Sequence, residues 1–431
     1  MEAREYQMDG MLFYALSSCL ITLICIFLLA GLYKLFIQIK GQRQYLRLRK
    51  RRLKLELETA RLKYKYVQSE EAYSWNGYRK FLVEKKVPEA NGVFSFYLIP
   101  HDERPFPMAK PGQYLTFKLD IPSEDKDVIR CYSLSDSTLD KPYYRVSIKK
   151  VPPPRDQADL PSGLSSSYFH DTVNPGDLLD VKIPSGHFFL DSEKVDSVVL
   201  IAGGIGLTPV LSMLNYLCDT QTDKEIWLYY GVICGNDFMM KDHFDSISDR
   251  FPNVKIVRVF SNPIDSDQQG VDYDHEGHVS VELFKKLLPS NNYDFFICGP
   301  PPMMNALTAD LEAWGVPERY IHYETFGPAS VKQVEKGLHA GDEKTEAKTV
   351  KVTFKKHNKT VEWSTGTSLL DLAEEHNIAL DFGCKAGSCG TCSIALHSGD
   401  VDYPITPDFD IERGSCLACI AQPKDDIVVD A

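Results

Sequence analysis

The most constraining feature of this sequence is a set of four cysteines near its C-terminal end. Three follow the spacing Cys-x4-Cys-x2-Cys in FGCKAGSCGTCSIAL and the fourth stands in SCLACIAQP, so the set is Cys384, Cys389, Cys392 and Cys419. Thiolates at this spacing, with a distant fourth, typically ligate a 2Fe-2S cluster. Small residues between them let the loop turn backbone N–H groups toward the cluster sulfurs. The sequence therefore predicts an iron-sulfur domain at residues 349–431.

The identity of the fourth ligand is less constrained by the residues alone. Cys416 stands three positions before Cys419 and is a rival for that role, while zinc and redox-sensing thiols are alternative uses of the set. The segment LACIAQP resembles the one that holds the last ligand in plant-type ferredoxins, and its matching position is Cys419. This resemblance implies an α+β, β-grasp domain. The eleven cysteines form no regular disulfide framework, which favours a reducing compartment.

The other end of the chain predicts a membrane anchor. Residues 11–33 carry no charge, and roughly 20 apolar residues suffice to cross a bilayer as a transmembrane helix. Lysines and arginines crowd residues 34–54, so the positive-inside bias places the N-terminus outside and the rest of the chain in the cytoplasm. We predict a transmembrane anchor at residues 1–40 and a basic helical stalk at residues 41–72 that lies on anionic lipid headgroups. A cleaved signal peptide and a solvated stalk are the alternatives.

Between these ends, the hydrophobic pattern changes once. Short β-type runs broken by Pro and Gly, such as GVFSFYLI and QYLTFKLDI, predict an antiparallel β-barrel at residues 73–192. Apolar runs such as VVLIA and DFFICG then alternate with helical segments, which predicts an α/β parallel-sheet domain at residues 193–329. Residues 330–348 are polar and show no clear hydrophobic periodicity, which predicts a linker. The chain is thus predicted to be multidomain.

Two loops of the α/β domain carry the pattern of a dinucleotide site. VVLIA leads into GGIGLTP and a helix, and YDFFIC leads into Cys298, Gly299 and Pro300 before another helix. Glycines between a strand and a helix let the backbone approach a pyrophosphate. The pair resembles the nucleotide domain of the ferredoxin-NADP reductase superfamily, which implies that Cys298 lies near the nicotinamide. The predicted nucleotide-binding residues are Gly203, Gly204, Gly206, Thr208, Pro209, Gly299 and Pro300.

The barrel carries a second motif, Arg130-Cys131-Tyr132-Ser133. It resembles the flavin signature of the same superfamily, which implies that Arg130 pairs with flavin phosphate, Tyr132 stacks on the flavin and Ser133 bonds its reactive end. Further segments resemble flavohaemoglobin-type reductase modules, where HYETFGP implies a flavin-facing Phe326 beside Glu324. The same resemblance implies flavin- or phosphate-contacting roles for Arg145, Ser147, Ile148, Lys149, Gly163 and Ser166.

The order of the domains predicts the function. A hydride carries two electrons and a 2Fe-2S centre accepts one, so a flavin must stand between them. We predict an NADH-dependent oxidoreductase with FAD, in which Ser133, Cys298, Glu324 and Phe326 shape the hydride-transfer site. FMN and NADPH are the alternatives, although VICGND lacks the Arg or Lys expected to hold a 2'-phosphate.

The predicted electron acceptor follows from the anchor. A membrane-bound reductase gains effective concentration toward a membrane-associated oxygenase, hydroxylase or desaturase. Domain order resembles that of phthalate dioxygenase reductase-like and phenylacetyl-CoA oxygenase reductase-like enzymes, which are soluble. A quinone acceptor, and a non-catalytic redox sensor or assembly subunit, are alternatives. The net charge of -12 argues against nucleic acid as a partner.

Overall fold

The computed structural model describes much of the chain. It covers residues 27–431 except 48, 51–52, 55–56, 58–59, 62–63, 66–67, 70–71, 154–160, 192–193, 196, 221–222, 325, 327–348, 365, 384, 386, 388–389, 405–406 and 408–410. The contacts divide the chain into two units, Met1–Val67 and Gln68–Ala431.

The described part of the first unit is helical at residues 27–47. Its large apolar side chains are exposed, among them Phe27, Leu28, Leu32 and Phe36. Among the residues that the structure describes, no helix is both long enough and apolar enough to span a bilayer. Residues 11–26 of the predicted span lie outside the described residues, so the transmembrane helix stays a prediction.

The second unit opens with a six-stranded antiparallel sheet, ordered β4-β3-β6-β1-β2-β5. An isolated bridge between Leu134 and Val146 joins the edge strands and curls the sheet toward a barrel, which is packed around Phe81, Phe96 and Phe117. The barrel-like sheet predicted here is confirmed. Its elements are β1 (Arg79–Ala90), β2 (Val93–Pro100), β3 (Tyr114–Leu119), β4 (Val128–Ser133), β5 (Tyr144–Lys149), helix α1 (Leu164–Asp171) and β6 (Leu178–Val181).

A six-stranded parallel sheet follows, ordered β10-β9-β8-β7-β11-β12. The strand of this sheet that comes first along the chain, β7 (Val198–Gly203), lies inside the sheet and is fully buried, which explains the unbroken apolar run VVLIA. Strand order reverses between β7 and β11, the place where open α/β sheets bind ligands. The predicted parallel sheet is confirmed. Its elements are β7 (Val198–Gly203), α2 (Leu207–Asp219), β8 (Ile226–Val232), α3 (Lys241–Arg250), β9 (Val254–Phe260), β10 (His275–Glu276), α4 (Val281–Leu287), β11 (Asp294–Cys298), α5 (Pro301–Ala313) and β12 (Ile321–Glu324).

The last part of the second unit is a mixed sheet, ordered β14-β13-β19-β15-β17, with a separate β16-β18 ladder. Ser368 caps the N-terminus of the one described helix of this part and forms a capping box with Asp371. Cys392 and Cys419 lie within its hydrophobic core. The elements are β13 (Thr349–Phe354), β14 (Lys359–Ser364), α6 (Leu369–Glu375), β15 (Ser393–Ser398), β16 (Val401–Asp402), β17 (Ser415–Leu417), β18 (Gln422–Pro423) and β19 (Ile427–Val429).

Candidate flavin, nucleotide and cluster sites

The two glycine loops of the parallel sheet lie against each other at the switch point. A Cβ atom on Gly206 would collide with the carbonyl group of Cys298 and lie 2.8 Å from the nitrogen of Gly299. A Cβ atom on Gly299 would lie 3.2 Å from the Cα atom of Gly203. Because these neighbours are backbone atoms, no side chain can rotate away to make room. The packing brings the predicted nucleotide-binding segments together at the carboxyl ends of β7 and β11.

Helices begin directly after both loops. In the first loop, Gly204 has a left-handed φ of +53° and faces open space, while Thr208 Oγ1 donates to the carbonyl of Ile205 at 3.1 Å. Pro209 is buried in the first turn of α2, and Pro300 precedes the first turn of α5. The first N–H groups of a helix lack intrahelical acceptors and favour an anion. Proline has no N–H group, and Pro301 and Pro302 begin α5 while Pro209 stands in the first turn of α2, so the fit to a pyrophosphate rests mainly on the open backbone at Gly204.

A hydrogen bond joins the barrel to the parallel sheet beside these loops. Ser133, at the end of β4, donates through Oγ to Oε2 of Glu324 at 3.3 Å. Strands β11 and β12 pair in parallel with Cys298 opposite Glu324. Three of the four predicted catalytic residues, Ser133, Cys298 and Glu324, therefore meet where the barrel and the parallel sheet face each other. Phe326 follows two positions later and is 41% exposed.

The surroundings of Ser133, Cys298 and Glu324 favour the protonated forms of the Glu324 carboxyl and the Cys298 thiol. Burial raises the pKa of Glu324 to about 8, and the hydrogen bond from Ser133 opposes that rise. Burial, with a smaller contribution from Glu324, raises the pKa of the Cys298 thiol well above its usual value. At neutral pH the site therefore presents a neutral carboxyl and a neutral thiol, without a buried negative charge that would repel a reduced cofactor.

The other two residues of the flavin motif have distinct surroundings. The hydroxyl of Tyr132 lies 2.7 Å from Oγ of Ser165 in α1, and its ring packs edge-on against Phe169. Burial raises the pKa of Tyr132, so the phenol stays protonated. Arg130 Nη1 donates to the carbonyl of Ile129 at 2.7 Å. Ser165 stands directly before Ser166, in the segment predicted to contact flavin or phosphate.

Residues at the start of α1 use their polar groups locally. Ser166 Oγ donates to the carbonyl of Gly163 at 3.0 Å and accepts from the N–H of Val151 at 3.1 Å. A Cβ atom on Gly163 would lie 2.8 Å from the Cβ atom of Val151, so the turn favours glycine. The Ser166 hydroxyl thus closes the turn that presents the helix N-terminus.

The side chains of the segment Arg145 to Lys149 have partners within the protein, and their predicted contact with the cofactor stays a prediction. Arg145 is 7% exposed, its Nε donates to Oγ of Ser135 at 3.1 Å and its Nη2 donates to the carbonyl of Ser135. Ser147 Oγ donates to Oγ of Ser135 at 2.8 Å, and Ile148 belongs to the barrel core. Lys149 Nζ lies 3.5 Å from Oδ1 of Asp237. Burial in the barrel therefore gives the side chains of Arg145, Ser147 and Ile148 structural partners.

Sequence reasoning missed Asp136, the counter-charge of Arg145. Its buried carboxylate accepts from Lys141 Nζ at 2.7 Å, from the hydroxyl of Tyr143 at 3.1 Å and from Asn215 Nδ2 at 2.7 Å, with Arg145 Nη1 at 3.6 Å. Although burial opposes it, the cations Arg145 and Lys141 hold the pKa of Asp136 below its usual value. Asn215 lies in α2, so this carboxylate joins the barrel to the nucleotide domain. The motif RCYSLSD gave one signal, an acid three positions after Ser133.

Two of the four predicted cluster ligands lie in the described residues and are adjacent. Sγ of Cys392 is 3.1 Å from Sγ of Cys419, and both are buried. Gly387 has a φ of +73°, and a Cβ atom there would collide with the side chain of Ile420. Cys384 and Cys389 lie outside the described residues. The two adjacent thiols and the glycine-dependent loop fit a 2Fe-2S cluster.

Cys416, the rival fourth ligand, is also buried. It lies in β17 and pairs with Ile394 of β15. Burial, with a smaller contribution from Cys392, raises the pKa of the Cys416 thiol to about 12. The choice of Cys419 stays a prediction, and the adjacent sulfurs of Cys392 and Cys419 favour it.

Family models match all three parts of the second unit. The oxidoreductase FAD-binding domain matches residues 80–190, the oxidoreductase NAD-binding domain matches residues 200–309, and the 2Fe-2S iron-sulfur cluster binding domain matches residues 352–424. The chain therefore carries two oxidoreductase domains, one that binds FAD and one that binds NAD, followed by a C-terminal 2Fe-2S domain, and its cofactors are FAD, a nicotinamide dinucleotide and the 2Fe-2S cluster.

Curated relatives and solved structures share parts of this organisation. The chain is 38% identical over 259 residues to a flavohemoprotein of Bacillus thuringiensis subsp. konkukian and 36% identical over 257 residues to one of Bordetella pertussis. These alignments cover 60% of this chain and 63% and 62% of those two proteins.

Among solved structures, the FAD/NAD-binding domain of nitric oxide dioxygenase from Vibrio cholerae aligns with a TM-score of 0.51 at 28% identity, over 59% of this chain and 100% of that one. Phthalate dioxygenase reductase aligns with a TM-score of 0.50 at 24% identity, over 83% of this chain and 98% of that one. The second likeness extends through all three domains and concerns the fold.

Proposed function

We propose that this protein is a membrane-anchored, NADH-dependent reductase that supplies single electrons to a membrane-associated oxygenase, hydroxylase or desaturase. The observation that carries the redox part is the hydrogen bond between Ser133 and Glu324 beside Cys298. This hydrogen bond joins the end of β4, which carries the predicted flavin motif, to β12 beside the predicted nucleotide loops. The bound flavin supplies the conversion of a two-electron hydride into single electrons that an iron-sulfur centre can accept.

The chain's own residues supply position and a controlled charge. Gly203, Gly206 and Gly299 let two backbone loops approach closely, and the open backbone at Gly204 before α2 lets a pyrophosphate approach. The carboxyl of Glu324, whose pKa burial raises to about 8, holds a proton beside Ser133 at neutral pH. The site can therefore orient a nicotinamide without a fixed negative charge near the hydride.

The preference for NADH rests on the end of β8. The residues that follow this strand are Ile233, Cys234, Gly235, Asn236 and Asp237, with no Arg or Lys among them. A 2'-phosphate is usually held by such a cation. We expect kcat/KM for NADH to exceed that for NADPH, and the reverse order would contradict this assignment.

The names of structurally similar proteins support the proposed electron acceptor. Phthalate dioxygenase reductase is named for an oxygenase, and an intact self-sufficient cytochrome P450 monooxygenase aligns over 82% of this chain and 41% of its own with a TM-score of 0.54 at 21% identity. Crosslinking the protein in its native membranes, followed by mass spectrometry, would identify the acceptor. Recovery of an oxygenase, hydroxylase or desaturase supports the proposal, and recovery of a quinone-dependent complex contradicts it.

The proposed anchor rests on the exposed apolar side chains of residues 27–39 and on the basic residues that follow them. We propose a single pass with the N-terminus outside and the redox domains in the cytoplasm. Removing residues 1–52 should move an NADH-oxidising protein from carbonate-washed membranes to the soluble fraction. A truncated protein that stayed in the washed membranes would refute the single anchor.

A further inference from the structure

The C-terminal iron-sulfur domain at residues 349–431, called the ferredoxin domain below, contacts the barrel of β1 to β6 through two pairs of residues. Lys126 Nζ lies 3.6 Å from Oδ1 of Asp381, and the guanidinium carbon of Arg130 lies 5.7 Å from the ring centroid of Phe382. Lys126 stands just before β4 and Arg130 stands in it, three positions before Ser133. Asp381 and Phe382 directly precede the cluster-binding segment. The contact thus joins the strand of the flavin motif to the entry of the cluster loop.

The ferredoxin side of the contact is organised within its own domain. Lys385 Nζ lies 4.3 Å from the ring centroid of Phe382 and 2.7 Å from Oε1 of Glu374 in α6. The Phe382 ring also packs against the core of this domain. Cations within about 6 Å of an aromatic ring are attracted to it. The ring is therefore held in place by its own domain and is available to a cation from the barrel.

The barrel side of the contact is accessible. Residues of β4 from Val128 to Tyr132 are only partly buried, although β4 pairs with β3 along its whole length. The side chains of Lys126 and Asp381 are 79% and 71% exposed. Exposed ion pairs contribute little affinity and are screened by salt, but they steer charged surfaces together. Such a contact suits domains that dock reversibly.

We propose that the pairs Lys126–Asp381 and Arg130–Phe382 form the docking contact that places the cluster loop against the flavin strand, and that the ion pair makes docking depend on ionic strength. This inference rests on the proposed function, because docking matters only if electrons pass from the barrel to the ferredoxin domain. It assigns a positioning role to Lys126, Asp381 and Phe382.

Carbodiimide crosslinking tests the contact without any turnover. This reagent joins an amine to a carboxylate that already lies beside it. In the full-length protein loaded with flavin and cluster, a peptide linking Lys126 to Asp381 should form at low salt and diminish several-fold at high salt. Lys80 and Asp180 are the matched control, since they are 3.0 Å apart and face each other across β1 and β6. A protein that forms the control link but not the Lys126–Asp381 link overturns the proposal.

Charge reversal tests the consequence for electron transfer. After anaerobic mixing with NADH at low salt, Lys126→Glu should slow the appearance of the reduced-cluster EPR signal about two- to fivefold, while flavin bleaching keeps its rate. Adding Asp381→Lys to Lys126→Glu should restore the wild-type rate, and high salt should remove the difference. Phe382→Leu, with unchanged cluster g-values, should slow the signal by a similar factor.

The possible failures are distinguishable. Wild-type cluster rates in both Lys126→Glu and Phe382→Leu would overturn the docking contact and leave the proposed function intact. A wild-type protein whose flavin bleaches while its cluster never becomes reduced would overturn the proposed electron path, and the docking role with it.

Discussion

Replacing Asp136 by Ala tests the polar network that joins the flavin barrel to the nucleotide domain. The change removes the carboxylate that faces Arg145 and Lys141, whose side chains are 7% and 23% exposed. Removing one partner of a buried ion pair costs about 3–5 kcal/mol, because the other charge is left uncompensated. It also leaves Asn215 Nδ2 and the Tyr143 hydroxyl without this acceptor. We therefore expect the free energy of unfolding to fall by about 3–5 kcal/mol.

Urea unfolding of the flavin-loaded protein measures this cost, with the exposed pair Asp191–Lys194 as a control. That pair is 3.0 Å apart with Lys194 83% exposed, so Asp191→Ala should cost at most about 1 kcal/mol. Replacing Arg145 by Met together with Asp136→Ala should recover much of the loss, because the uncompensated charge is gone. A cost below about 1 kcal/mol for Asp136→Ala, or a double variant that loses the sum of both single changes, would refute the reasoning.

The same variant has a defined pH dependence. The pKa of Asp136 is depressed in the folded protein, so the unfolded chain takes up its proton first as the pH falls. The stabilisation by Asp136 is therefore fully present above the ordinary Asp pKa of about 3.9 and is lost as the pH falls through the lower folded value. The difference between wild type and Asp136→Ala should be constant from pH 6 to 8 and shrink in acid.

Three further predictions concern the sites themselves. Gly206→Ala should separate the two nucleotide loops and slow flavin bleaching by NADH about 100-fold, since a misplacement of about 1 Å can have that effect. The control Gly270→Ala, at a φ of +79° in open space, should leave the bleaching rate unchanged. Equal effects of the two changes would argue against the packing of the loops as the cause. Cys419→Ser should abolish the cluster EPR signal and cytochrome c reduction while ferricyanide reduction persists, whereas Cys416→Ser should keep the signal; the opposite pattern would make Cys416 the ligand. Because the pKa of Glu324 is raised to about 8, its stabilisation is fully present below the unfolded value of 4.5 and is lost as the pH rises through 8. Glu324→Gln should therefore flatten the fall in unfolding free energy between pH 5 and 9, and an unchanged slope would show that Glu324 is ionised in the folded protein.

Features set by local backbone geometry could be predicted from the sequence. Gly206 and Gly299 follow apolar strand runs, and parallel strands bring their carboxyl ends to one edge of a sheet. The cysteine spacing likewise specified a loop, and the structure places Cys392 beside Cys419, 27 positions away. In both cases a short segment contains the geometric requirement.

Roles that depend on the inside of the barrel could not be predicted in this way. Alternation along β5 indicates two faces but does not reveal that one face of this barrel carries a polar network. The alternation does not reveal the counter-charge of Arg145, because Asp136 and the Asn215 amide that donates to its carboxylate are separated by 79 positions. The contact between Arg130 and Phe382 joins two domains and leaves no local pattern.

The most direct test of the central claim is rapid anaerobic mixing of the purified chain with NADH, following flavin absorbance and the cluster EPR signal together. The protein should contain about one flavin and about two irons per chain. Flavin bleaching should come first, and the cluster signal should rise after it. A protein that lacks flavin or iron after anaerobic purification, or a cluster that becomes reduced before the flavin bleaches, would contradict the account.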